Sequence, residues 1–234
     1  MAAPVVETHG LGKTFGLHPV LREIEFRLLP GRGAAVIGGN GAGKSTLLSI
    51  LAGLSAPSEG QALVFGIDSR RLGPRYRRRI GMISHRSYLY PNLTARENLE
   101  FYASLYGVAD APTQIDTWLA RVGLEASADE RVRAFSRGME QRLAAARAMI
   151  ADPMLLLLDE PFSSLDTDGQ ALMSRLVVAA LARGAAVVAT AHAVPEIENA
   201  ELDLYEIVRG RMFPLKEKER EEVRHGRLRT LLGR

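Results

Sequence analysis

Apolar positions along this chain fall into short runs whose spacing changes from one stretch to the next. Residues 5–8, 20–26 and 33–37 are brief apolar runs separated by Gly and Pro, which predicts three strands. A glycine-rich stretch, residues 38–43, leads into a helix-like run over 44–53. Residues 61–65 and 80–83 read as further strands. From Thr94 to Ile150 the spacing is helical. Thr94 with Glu97 three residues on is a capping-box spacing, so a helix should begin there. Residues 113–122 and 138–150 are the next helical stretches, and Trp118, Leu119 and Val122 read as core. The run MLLLLDE from Met154 is continuous and apolar, as expected of a strand covered on both faces. Residues 170–182 read as helix, 185–191 as strand, 204–214 as a short hairpin and the stretch from Lys216 as a charged surface helix.

Strand, glycine loop, helix and later another buried strand is an α/β order with a parallel central sheet. Ligands on such sheets sit at the carboxyl ends of the strands, where the glycine loop falls. No repeat interrupts this order.

Composition narrows the function classes. The chain has 234 residues, 47% apolar and 24% charged, enough for one large domain or two small ones. The absence of cysteine excludes a disulfide scaffold, a Cys-ligated zinc site and thiol catalysis. The most apolar long stretch, residues 176–191, is divided by Arg183-Gly184, and neither half approaches the roughly 20 apolar residues of a membrane span. Residues 1–10 lack the pattern of a signal peptide. A net charge of +3 raises nucleic acid or an anionic membrane as partners. That charge sits entirely in residues 216–234, which hold seven basic and four acidic side chains; the first 215 residues are neutral.

Candidate chemistry begins at Gly38-Gly39-Asn40-Gly41-Ala42-Gly43-Lys44-Ser45, a complete G-x-x-x-x-G-K-[ST]. Glycines let successive backbone N–H groups turn inward around phosphate oxygens, and a helix N-terminus adds partial positive charge. Lys44 is placed to reach the β and γ phosphates, and the Ser45 hydroxyl can ligate Mg²⁺, with Thr46 beside it. In a chain with 26 Arg and only four Lys, this loop still has the compact ammonium the role requires. Asp159-Glu160 ends the apolar run from Met154. There the first carboxylate can meet Mg²⁺ through water and the second can polarise an attacking water.

Together these elements resemble the ATPase subunit of an ABC transporter over residues 5–213. Phe15 in KTFG resembles the aromatic that stacks on adenine. FSRGMEQR, residues 135–142, resembles the LSGGQ signature loop, with Arg137 and Met139 departing from it and Ser136 and Gly138 retained. Ser163-Ser164-Leu165-Asp166 resembles the D-loop, and His192 the switch histidine after the last core strand. The resemblance implies a P-loop NTPase fold of the ABC ATPase type: a central, mostly parallel sheet, an N-terminal antiparallel β subdomain and a helical subdomain over about 86–150. It implies an ABC ATPase domain at 1–215 and a charged tail at 216–234. It also implies an ATP-binding site of Phe15, Gly38, Gly39, Asn40, Gly41, Ala42, Gly43, Lys44, Ser45, Thr46, Ser136, Gly138 and Asp166, with Lys44, Glu160 and His192 catalytic and Ser45 and Asp159 at Mg²⁺. One phosphate loop and one signature per chain imply a head-to-tail homodimer enclosing two ATP.

Where the family has glutamine, this chain has His85, a candidate Mg²⁺ ligand through a neutral nitrogen. With SHRSYLYPNLTARENLEFYASLYG, residues 85–107 with Ser84, the chain resembles the ATPase subunit of the cytochrome c maturation haem exporter. Drug, polysaccharide and other ABC-2-type exporter ATPases share YPNLTARENL and the SRGM signature. The resemblance implies transmembrane permease subunits docked at Tyr88, Leu89 and Tyr90, haem-handling membrane proteins as partners and a peripheral place on the cytoplasmic face of the inner membrane. The alternative readings are another ABC-2-type exporter, or a soluble ABC ATPase acting on nucleic acid. The six arginines between Arg70 and Arg79 read as a solvated segment rather than a nucleic-acid site.

Overall fold

The computed structural model describes residues 2–163, 165–191, 200 and 202–215. Ser164, His192 and the expected tail helix from Lys216 lie outside the described residues. In chain order, β1 (Val6–Phe15) and β2 (His18–Leu28) form a hairpin, and β3 (Gly33–Ile37) runs into α1 (Lys44–Leu51). Then come β4 (Glu59–Val64), β5 (Ile67–Asp68), α2 (Pro74–Arg77) and β6 (Ile80–Ile83). Three helices follow: α3 (Ala95–Tyr106), α4 (Ala111–Arg121) and α5 (Arg137–Met149). The described chain closes with β7 (Leu155–Asp159), α6 (Thr167–Ala182), β8 (Ala186–Ala191), β9 (Leu202–Val208) and β10 (Arg211–Pro214).

The strands make two sheets. An antiparallel sheet has the order β2-β1-β4-β5, and a six-stranded sheet has the order β10-β9-β3-β8-β7-β6, parallel throughout except for β10. This is the expected mixed architecture. Every residue of β3 and β7 is buried, so both carry apolar side chains on both faces. Side chains alternate along a strand, and two cores result. Ile37, Leu156, Leu158 and Val187 join the helices α3 to α6, whereas Val36, Leu155, Leu157 and Val188 join α1 and the antiparallel sheet. Trp118 sits in the first of these cores with Leu119 and Val122, as expected.

Some boundaries differ from the sequence reading. β1 and β2 run well past residues 8 and 26 because bulges around Gly10 and Lys13 break the alternation without breaking the pairing. The first helix stops at Leu51, with Gly53 at φ 68° just beyond. Helicity is not continuous from Thr94 to Ile150: residues 122–136 hold only two short 3₁₀ turns. β9 is more than one arm of a hairpin, since it also pairs in parallel with β3 and extends the central sheet. Several arginines of the Arg70–Arg79 stretch have local partners: Arg70 pairs with Asp68, Arg77 donates to the Leu72 carbonyl and Arg79 lies over the Phe65 ring.

Candidate functional site

β3, β7 and β6 end on the same edge of the parallel sheet; β7 ends in Asp159, β3 leads into Gly38 and β6 is followed two residues on by His85. The glycine loop leaves β3 and turns into α1 at Gly43, whose φ of 107° is left-handed. A Cβ there would lie 2.6 Å from Leu21 Cδ2 and 3.0 Å from the Val20 carbonyl, so both conformation and space require glycine. Lys44 opens the helix. Its ammonium is almost wholly buried and donates to the carbonyls of Gly38 (2.7 Å) and Gly39 (3.1 Å).

Glu160 faces that ammonium. Its carboxylate lies 3.7 Å from Lys44 Nζ through one oxygen and 3.7 Å from His85 Nε2 through the other. Glu160 holds φ at 53°, a left-handed conformation that costs a non-glycine residue on the order of 1 kcal/mol. That turn aims its side chain back across the strand ends toward the glycine loop. Asp159 is buried at the last position of β7.

Thr190, which the sequence reading passed over, braces this pair. It is fully buried on β8; its hydroxyl donates to Asp159 Oδ1 at 2.7 Å and accepts from the Glu160 N–H at 3.1 Å. The signal was a lone hydroxyl within the apolar run 185–191. Thr190→Val keeps the shape and removes the hydroxyl, leaving a buried carboxylate short of a donor. The expected loss is about 1–3 kcal/mol of stability by chemical denaturation, with ATP turnover falling by about tenfold. A variant within about 0.5 kcal/mol of wild type, the usual surface range, would remove Thr190 from this role.

Two contiguous cavities open here. One, of about 440 Å³, is lined by Val20, residues 39–46, His85 and Glu160. The other, of about 470 Å³, runs from Ser45 and Asp159 past His85 to Phe15. Phe15, at the end of β1, is half-exposed, with the Lys13 ammonium 4.8 Å over its ring. Ser45, Thr46, Asp159 and His85 all line the second cavity.

The remaining candidates lie elsewhere. Ser136 is the N-cap of α5 and accepts from the Met139 N–H, with Gly138 in the first turn. Asp166 caps α6 through the Gly169 N–H. Neither Ser136, Gly138 nor Asp166 lines the two cavities beside the glycine loop. Tyr88 and Tyr90 are exposed, while Leu89 turns inward against the helical core. Asn98, also missed from sequence, is fully buried and clamps this loop, accepting from the Tyr90 N–H and donating to the carbonyls of Tyr90 and Thr94. The capping box at Thr94 and Glu97 forms as expected and fixes the start of α3. Ser87 donates to Glu140, tying the loop after β6 to α5.

Residues 21–163, which include the glycine loop, the acidic pair and the serine N-cap of α5, match the model of the ABC transporter family. The chain belongs to the ABC transporter family. Its domain is an ABC ATPase. It is 33% identical to the Nod factor export ATP-binding protein I of Rhizobium etli, over 85% of this chain and 64% of that protein. It is 37% identical to the cytochrome c biogenesis ATP-binding export protein CcmA of Cupriavidus necator, over 86% of this chain and 88% of that protein. It is 41% identical to a fluoroquinolones export ATP-binding protein of Mycobacterium tuberculosis, over 74% of this chain and 57% of that protein. Among solved structures, a dimeric ATP-binding cassette in a post-hydrolysis state, bound to ADP and Pi, superposes with a TM-score of 0.81 at 26% identity, covering 90% of this chain and 99% of that one. The matched residues 21–163 include strands of both sheets. Among the described residues, no helix is long and apolar enough to cross a membrane.

Proposed function

We propose that this chain binds and hydrolyses ATP as the nucleotide-binding subunit of an exporter, and that the exporter serves cytochrome c maturation, moving haem or releasing a haem-loaded chaperone. The observation that carries the ATPase reading is the meeting of Lys44, Glu160 and His85 within 3.7 Å beside the glycine loop. The haem reading is supported by His85 and the stretch around it, and by two CcmA relatives that are 36% and 37% identical over most of this chain. The second reading is export of another cargo, favoured by the Nod factor and fluoroquinolone relatives.

In this scheme the backbone of residues 38–43 and the N-terminus of α1 cradle the phosphates, and Lys44 exchanges its two carbonyl partners for β and γ oxygens. Phe15 stacks on the base. Ser45 and Asp159 line one cavity and offer a hydroxyl and a buried carboxylate, oxygen donors that suit Mg²⁺ completed by water and nucleotide oxygens; His85 lines the same cavity, but its imidazole is a nitrogen donor that matches Mg²⁺ poorly. A Mg²⁺ ion held by Ser45 and Asp159 would neutralise charge on the phosphates. Glu160 takes a proton from the attacking water and His192 helps to position that water. Ser136, Gly138 and Asp166 complete the site of a second copy, head to tail. That accounts for their absence from the cavities beside this chain's own glycine loop, and it gives α5 a hydroxyl and N–H groups to present to a γ-phosphate. The permease subunits dock beside Tyr88 and Tyr90, and the chain is peripheral on the cytoplasmic face of the inner membrane.

The discriminating experiment deletes the gene and measures covalently haem-bearing c-type cytochromes, with phosphate release by the purified complex in parallel. Loss of c-type cytochromes, restored by the wild-type chain, is expected. Unchanged cytochromes with intact ATP hydrolysis would move the assignment to the second reading.

A further inference from the structure

The turn between β9 and β10 has two residues, Arg209 and Gly210. Both are left-handed, at φ 50° and 80°, as a tight two-residue hairpin requires. The turn packs on β2. There the Arg22 N–H donates to the Gly210 carbonyl at 2.8 Å, and Arg211 pairs with Glu23 at 2.7 Å. A Cβ on Gly210 would lie 2.8 Å from the Val20 carbonyl oxygen, closer than a side chain can stand to backbone.

That oxygen also helps to exclude a side chain from Gly43, at 3.0 Å. Val20 lines the phosphate cavity and Gly210 does not. The start of the glycine loop meets the same hairpin, because a Cβ on Gly38 would come within 2.8 Å of the Ile207 carbonyl on β9. Both ends of the loop therefore rest on backbone oxygens whose places the hairpin sets: Ile207 directly, and Val20 through Gly210. Close-packed backbone passes a shift on rather than absorbing it. Recognition of phosphate by successive N–H groups depends on their mutual placement, so a shift at Val20 is felt where the nucleotide binds.

We propose that Gly210 is a positioning residue for nucleotide binding: the β9–β10 turn, acting through the Val20 carbonyl, holds the glycine loop in its binding shape. This goes beyond the roles assigned above and rests on the nucleotide site described there. What Gly210 supplies is the lack of a side chain behind Val20.

The test is Gly210→Asn in the full chain. Asparagine tolerates positive φ, so the turn keeps its conformation while the new Cβ meets the Val20 carbonyl. The matched control is Gly184→Asn. Gly184 stands at φ 84° after α6, and a Cβ there meets nothing within 4 Å. Fluorescent analogues report ADP and ATP affinity, and phosphate release by the complex with its membrane subunits gives KM and kcat. Gly210→Asn should weaken both nucleotides by about tenfold and raise KM by the same factor, with kcat within about twofold of wild type, the pattern of lost uniform binding. Gly184→Asn should bind both nucleotides as wild type does, whatever its melting temperature.

The wild-type chain provides a second measurement that does not depend on how Gly210→Asn folds. Coupling between sites is reciprocal, so ADP should in turn steady the hairpin. Exchange of the Arg22 amide, bonded to the Gly210 carbonyl, should slow at least about fivefold more than that of the Gly31 amide, bonded to the Gly184 carbonyl. Wild-type affinity in Gly210→Asn, an equal loss in Gly184→Asn, or equal slowing of the two amides would each overturn the proposal. A wild-type chain that binds neither nucleotide would overturn the nucleotide site itself, and this proposal with it.

Discussion

Glu160→Gln should bind ATP with near-normal affinity and turn it over at least about a hundredfold more slowly, the lower end of what a positioned general base contributes. The variant keeps the size of the side chain and loses its capacity to accept a proton. It also removes the negative charge that faces Lys44 at 3.7 Å and His85 at 3.7 Å. Repulsion between that carboxylate and a γ-phosphate disappears with it, so the ATP-bound pair of domains should persist rather than reopen. Two measurements check this: phosphate release at saturating ATP, and size-exclusion chromatography with and without ATP. A slow, ATP-dependent dimer is the expected outcome. A monomer with ordinary turnover would falsify the role of Glu160.

Lys44→Met should fail one step earlier. The methionine stem fills the same tunnel, and the apolar neighbours Leu47 and Leu48 keep α1 seated. What disappears is, among the described residues, the only lysine that lines the phosphate cavity. The Gly38 and Gly39 carbonyls lose their donor as well. A charge-assisted contact to phosphate in an enclosed site is worth about 2–4 kcal/mol, so ATP affinity should fall by about thirtyfold or more, with turnover undetectable. Titration with a fluorescent ATP analogue separates this variant from Glu160→Gln, which binds and stalls. Equal affinities for the wild type and Lys44→Met would mean that the ammonium serves the loop and not the nucleotide.

The parts of this site legible in the sequence are those whose cause is local. The glycine loop, the capping box at Thr94 and Glu97 and the strand at Ile80–Ile83 each follow from neighbours within a few residues. β7 was legible because an unbroken apolar run between a Pro and an Asp-Glu pair leaves little choice but a strand buried on both faces. The residues that were missed act through distant partners. Thr190 braces Asp159 from 31 positions away, and Arg147 reaches Met82 across 65. A lone threonine in an apolar strand or a lone arginine in an alanine-rich helix carries no sign of which carbonyl or carboxylate it will meet. The short elements β5 and α2 were missed for another reason: two to four residues hold too few side chains to display a period.

The same α5 that carries Ser136 and Arg147 also closes the last strand of the parallel sheet. Among the described residues β6 pairs with β7 on one side only, and an open strand edge is a template on which another chain can add itself. α5 packs against β6 and satisfies one of its carbonyls. A Cβ on Gly81 would come within 2.5 Å of the Ala148 carbonyl, and Arg147 occupies the outward Met82 carbonyl. Loss of that contact would leave one more unpaired carbonyl on an edge strand. Substitutions that loosen it at Gly81 or Arg147 would show themselves first as insoluble protein during expression, before any change in the chemistry of ATP could be measured.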